Sequence, residues 1–264
     1  MARFLCIALV LLAPAIASAQ SAPGVLPKGI FVTTLTAEIE MSKDTAGDPT
    51  SIAPDFSVGV TDTLTLSAIH STVGRTGFRG GAGGGFCVTD ACPNTYDNAG
   101  VEAAVGLLSG PFSIAANAGG HAVSFDLGHY AAKAGFRVRV KAGDLSIVSL
   151  PSVAIAVTKR DDLIKNRDRV FVPVSMTYAF PGGFSAGLIT GFKSPLDDVG
   201  KGYEIAAGAF ASIAVTDSVA FAASWVHGKI TGGDAALPDD EKGIDTRAVQ
   251  VWVTITRSAY PRYK

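Results

Sequence analysis

Hydrophobic and polar positions alternate along most of this chain with the period of a strand. From Ser51 to Val60 the apolar residues Ile52, Pro54, Phe56, Val58 and Val60 fall on every second position, with Asp55, Ser57 and Gly59 between them. Such a pattern gives a strand two unlike faces. A polar break at Thr61-Asp62-Thr63 follows, alternation resumes at Leu64 and Leu66, and the stretch predicts a hairpin. Ala211 to Trp225 repeats the arrangement around Thr216-Asp217-Ser218.

Further strands are predicted at 29–41, 100–107, 112–118, about 128–141, 145–157, 170–180, 184–193 and 246–256, which with the two hairpins makes twelve. Their connections fall into two classes. Three-residue breaks (Thr61 to Thr63, Ser109 to Pro111, Ala142 to Asp144, Pro181 to Gly183, Thr216 to Ser218) follow the even-numbered strands except the last, and longer polar loops follow the odd ones. All short turns therefore lie at one end. The fold class expected is all-β, a single closed antiparallel transmembrane barrel of about 12 strands with up-and-down topology. A bilayer cannot solvate unpaired peptide groups, so a spanning sheet must close on itself. At about 3.4 Å per residue, ten residues tilted by about 40° rise about 25 Å, the height of the apolar band. Phe112 and Phe184 after short turns, and Tyr178 and Phe180 before one, fit an interfacial aromatic girdle. A soluble sandwich or solenoid shares the period but needs a polar outer face, and here the non-apolar face is mostly Gly, Ala, Ser and Thr.

Composition sharpens this picture. Of 264 residues 48% are apolar and 17% charged, and 22 Lys and Arg stand against 23 Asp and Glu with no basic run. A nucleic-acid partner has no electrostatic support. Met1-Ala2-Arg3, the apolar run Phe4 to Ile16 and Ala17-Ser18-Ala19 read as a secretory signal cleaved after Ala19, too short for a membrane anchor, which needs about 20 apolar residues. The domains expected are a signal peptide at 1–19, a short periplasmic segment at 20–28 and a barrel at 29–264. Cys6 leaves with the signal. Cys87 and Cys92, five apart in an oxidising compartment, are expected to form a disulfide contributing about 2 kcal/mol.

The signal peptide, the alternating strands and the GVTDTLTLS-type turn together resemble Gram-negative outer-membrane β-barrel proteins over the whole mature chain. The resemblance is porin-like and singles out no one family. It implies a bacterial outer-membrane location, membrane lipid as a partner, and a narrow pore for small polar solutes. A structural or adhesive barrel with a closed lumen is the alternative, and an outer-membrane enzyme a further one. The chain departs from such proteins by continuing past Ile255 through TRSAYPRYK, where Tyr260 stands in for the usual terminal aromatic residue.

With apolar faces turned to lipid, the residues expected to line the lumen are Glu38, Glu40, Asp55, Glu102, Asn117, His129, Lys133, Arg137, Arg139, Lys141, Lys193 and Glu204. Chain direction places Glu38, Glu40, Glu102 and Glu204 near the outer mouth and Arg137, Arg139 and Lys141 near the periplasmic side. Such a separation polarises the path, whereas cross-lumen pairing only braces the wall. The unpatterned segment 73–97, with GFRGGAGGG and the cysteines, either folds into the pore and narrows it or forms a mobile surface loop. No GxSxG, HExxH or phosphate loop occurs, so no catalytic residue, metal or cofactor is expected. His70, His121, His129 and His227 are read as non-catalytic.

Overall fold

The computed structural model describes residues 24–42, 46–80, 84–91, 94–160, 167–200, 202–233 and 247–259. The segment expected to be the signal, Cys92 and Tyr260 lie outside the described residues.

Alternation folds into strands in chain order: β1 (Ile30–Glu40), β2 (Thr50–Gly59), β3 (Leu64–Ile69), a five-residue helix α1 (Thr72–Thr76), β4 (Phe86–Cys87), β5 (Ala99–Leu108), β6 (Phe112–Ser124), β7 (His129–Ala142), β8 (Leu145–Ser149), β9 (Ser152–Ala156), β10 (Arg169–Ala179), β11 (Phe184–Pro195), β12 (Glu204–Thr216), β13 (Val219–Gly232) and β14 (Arg247–Ser258). Every pairing is antiparallel, and β1 pairs with both β2 and β14, Phe31 facing Val58 on one side and Arg257 on the other. That double pairing closes the sheet and leaves no edge among the main staves.

Twelve staves result, as the hydrophobic period predicts. The predicted strand at 145–157 is one stave in two pieces, because Ser149 opposite Val138 and Ser152 opposite Gly135 keep a common register. Pro151 interrupts it, having no N–H to give, while its carbonyl still accepts the Phe136 N–H at 2.8 Å. β4 stands off the barrel path, hydrogen-bonded to the long-loop end of β2.

The asymmetry of connections has one exception. β6 runs to Ser124, beyond the predicted end at 118, and the turn to β7 is only 125–128, so a short connection sits at the long-loop end. Its turn is built on Asp97, whose carboxylate accepts the Ser124 hydroxyl at 3.0 Å and the Asp126 N–H at 3.1 Å. Thus the segment before β5 supplies bonds that a longer loop would otherwise make for itself.

The outer surface is greasy around the ring: Phe31, Leu35, Phe56, Val101, Leu107, Phe136, Leu188, Phe221 and Trp225 are all exposed, Val101 to 65%. Tyr178, Phe180 and Phe184 cluster beside a short turn, with ring centroids 4.8 and 5.5 Å apart. The buried side chains lie inside and are largely small or polar, including Thr36, Glu38, Ser113, Asn117 and Gln250. This inverts the usual soluble arrangement.

At the short-turn end the chain before β1 enters the barrel mouth. Val25 is buried against Ala104 and Ala115, and the Leu26 N–H donates to Thr65 Oγ1 at 2.7 Å. Gly59 is required there, since a Cβ would stand 2.0 Å from the Pro27 carbonyl oxygen.

Candidate functional site: a loop across the barrel interior

Between β3 and β5 the chain turns inward rather than out. Asp55 starts the turn from β2: its carboxylate accepts the N–H groups of His70 (2.6 Å) and Ser71 (2.9 Å) and also the Ser71 hydroxyl. Ser71 in turn caps α1, its Oγ accepting the Gly74 N–H at 2.9 Å from an extended backbone. Glu38 on β1 adds a second carboxylate, accepting the Thr72 N–H at 2.7 Å and the Thr72 hydroxyl at 2.8 Å. Two acids thus serve N–H groups at the start of α1 that have no partner within the helix.

Beyond α1 the loop reaches the opposite wall. Gly77 ends the helix in the left-handed region, at φ 79°, and Phe78 packs against Phe171 on β10 and Ala206 on β12. Gly191 on β11 makes room, because a Cβ there would lie 2.7 Å from the Phe78 ring. The chain then swings toward β14. Gln250 donates to both Glu38 Oε1 (3.1 Å) and the Gly80 carbonyl (3.0 Å), and Arg79 lies 3.6 Å over the Trp252 ring while donating to Gln250 Oε1 at 3.3 Å. β1 and β10 lie on opposite sides of the twelve-stave ring, so the loop crosses the interior. Of the segment expected at 73–97, residues 73–80 fold inward, while Phe86–Cys87 pair with the long-loop end of β2.

The charged positions nominated from sequence sort into clusters. Glu102 accepts from Asn117 Nδ2 at 2.9 Å and pairs with Lys133 at 3.1 Å and with Arg137. Lys133 also donates to the Gly74 carbonyl at 3.1 Å, tying this cluster to the end of α1. Lys193 and Glu204 pair at 2.5 Å. Glu38 and Asp55 hold α1, as described. Glu40 lies on β1, and His129, Arg139 and Lys141 lie on β7.

The expected levels of acid and base are bridged at Glu102 by the long Arg137 side chain. Antiparallel register places Glu102 opposite Gly119 and Gly119 opposite Lys133, so acid and base meet at one level two strands apart. Arg137 lies four residues further along β7, opposite Ala115, and its side chain spans that offset to Glu102.

Sequence reasoning passed over Ser71, Thr72, Phe78, Arg79 and Gln250. Gln250 had a signal, since it sits among valines in VQVWV on the face opposite them. The apolar inner wall was also missed. Phe171 and Pro173 alternate with Val170, Val172 and Val174, so both faces of β10 are hydrophobic, and Val148, Leu150, Ile189 and Phe210 continue that lining.

No protein-family model and no curated protein sequence matches the chain. Among solved structures it is similar to the NanC porin in its rhombohedral crystal form (TM-score 0.61, 10% identity, 84% of this chain and 98% of that one). The KdgM porin in complex with disordered oligogalacturonate is similar as well (TM-score 0.57, 10% identity, 85% and 98%), as is KdgM alone (TM-score 0.54, 11% identity, 85% and 98%). At these identities the likeness establishes a shared barrel fold.

Proposed function

We propose that this chain is a bacterial outer-membrane channel for small polar solutes, narrowed by its own 70–80 segment. One observation carries the reading: a sheet without an edge, greasy outside, encloses charged groups and is crossed by a loop held at both walls. An apolar exterior on a closed sheet is stable where lipid replaces water. Twelve staves fall between filled eight-stranded barrels and sixteen-stranded water-filled ones, so a loop decides how much of the interior conducts. Export through a signal cleaved after Ala19, a short periplasmic segment at 20–28 and a Cys87–Cys92 disulfide at the long-loop end belong to this reading.

The test combines membrane fractionation with planar-bilayer recording of the full-length product. The protein should sediment with outer membranes, and its band should migrate differently before and after boiling, since closed barrels keep their shape in detergent until heated. Small, steady conductance in KCl is expected, rising several-fold in a Glu38→Ala/Asp55→Ala variant whose α1 has lost both carboxylate partners. A folded protein silent in both forms is instead a closed structural barrel, and the channel reading falls.

A further inference from the structure

Between the loop, at Val73 and Gly77, and the largely apolar side of the inner wall lies a space. A cavity of about 140 Å³ is bounded by Val148, Leu150, Pro173, Ile189 and Phe210, with Arg79 at its border. These wall positions lie on β8, β10, β11 and β12 or in the break after β8, so one flank of the interior supplies them. Apolar cavities of about 150 Å³ take up benzene, so the volume suits a single ring. The apolar side chains of this wall offer a solute's hydroxyl groups no hydrogen bonds.

Arg79 supplies the other half of a recognition site. Among the described residues no carboxylate pairs directly with its guanidinium, and the facing acid, Glu38, reaches it only through Gln250. Its flat face is taken up by Trp252 and one donor by Gln250 at 3.3 Å. Stacking occupies the face of a guanidinium and leaves donors in its plane, the geometry that binds a carboxylate through two parallel hydrogen bonds.

We propose that the interior binds compact monocarboxylates with an apolar body, the aromatic and alicyclic acids, placing the ring among Val148, Ile189 and Phe210 and the carboxylate at Arg79. This rests on the channel reading and gives it a solute class. Ring and charge are both required: the cavity alone does not select an anion, and Arg79 alone does not select a ring.

The test is calorimetric titration of the full-length protein in detergent with benzoate, cyclohexanecarboxylate, benzyl alcohol and acetate, alongside KCl conductance. Benzoate and cyclohexanecarboxylate should bind saturably, and benzyl alcohol and acetate at least about tenfold more weakly, as expected for loss of a charge-assisted pair or of a buried ring. Arg79→Gln and the cavity-filling Val148→Phe should each weaken benzoate by a similar factor, with heat-modifiable migration on gels confirming that both variants fold. Should Val148→Phe not fold, Val148→Ile provides a smaller intrusion and a smaller loss. Equal binding of benzoate and benzyl alcohol, or benzoate binding indifferent to both substitutions, overturns the proposal. Normal KCl conductance without ring-and-charge selectivity removes the solute class and leaves the channel. Selective benzoate binding without conductance removes the channel and keeps the site.

Discussion

The two flanks of the inner wall hold the same loop by different physical means. On the side of β1, β2 and β14 the contacts are directional: Asp55 and Glu38 accept five hydrogen bonds from His70, Ser71 and Thr72, and Gln250 ties Glu38 to Gly80. On the side of β10 to β12 the contact is Phe78 against Phe171 and Ala206, with open volume nearby. Directional bonds fix position and are lost abruptly, whereas burial tolerates sliding. The polar flank therefore sets where the loop sits, and the apolar flank can yield to a guest.

Substitutions on each flank should separate these roles. The largest effect is expected from Glu102→Ala, which leaves Lys133 and Arg137 inside the barrel without their shared acid. Removing one partner of a buried pair costs about 3 kcal/mol, to be read as a lower temperature at which the compact band is lost on detergent gels. A result within the error of wild type would mean that water already serves these cations. Next comes Phe78→Ala. Burial of an aromatic ring is worth about 3 kcal/mol in a tight core, and the open space beside this one reduces the loss to about 2 kcal/mol. The loop should exchange its amide hydrogens faster over 76–80 while 70–72 stay protected. Uniform loss of protection would show that the flanks do not act separately.

Ser71→Ala removes the cap of α1 and one bond to Asp55, at about 1 kcal/mol. More frequent brief openings in single-channel records are expected, without a change in the open level. The smallest effect lies outside the interior. The Arg167 guanidinium grips Asp197 through two bonds of 2.7 and 2.8 Å and holds that carboxyl below its ordinary range. A lowered folded value means the contribution is present at neutral pH, above the ordinary carboxyl pKa of about 3.9, and fades as pH falls through the folded value. Hydrogen exchange in the 196–200 loop should be unchanged between pH 7 and 5 and should rise, beyond intrinsic rates, only in stronger acid. Arg167→Gln should abolish that acid response.

Much of the frame could be read directly from period two. Which residues of β1, β2 and β7 face inward follows from the alternation of Glu38 with Ile39, Asp55 with Phe56, and Arg137 with Phe136. The hairpin at Thr61 to Thr63 was equally legible, since Thr61 closes it through its own hydroxyl onto the Thr63 and Leu64 N–H groups. What alternation cannot convey is lateral position. Glu102 meets Lys133 because both stand opposite Gly119 on either side of β6, and that coincidence depends on register. The loop was harder still. Residues 70–80 carry no strand period, and their path is dictated by acids on β1 and β2 that look, in sequence, like ordinary wall charges. The both-faced hydrophobicity of RVFVPV was visible, yet a strand expected to face lipid on one side draws attention to its valines and away from Phe171 and Pro173.

The seam of the barrel lies between β1 and β14, the first and last strands in the chain. The two lips of that seam are the strands farthest apart in sequence, so their pairing closes the longest loop in the sheet and carries the largest closure entropy. Gln250 fastens the inner loop to Glu38 across this same join. Zipping the cylinder and locking its contents thus become a single event, and a chain lacking β14 would have neither a closed wall nor a latch.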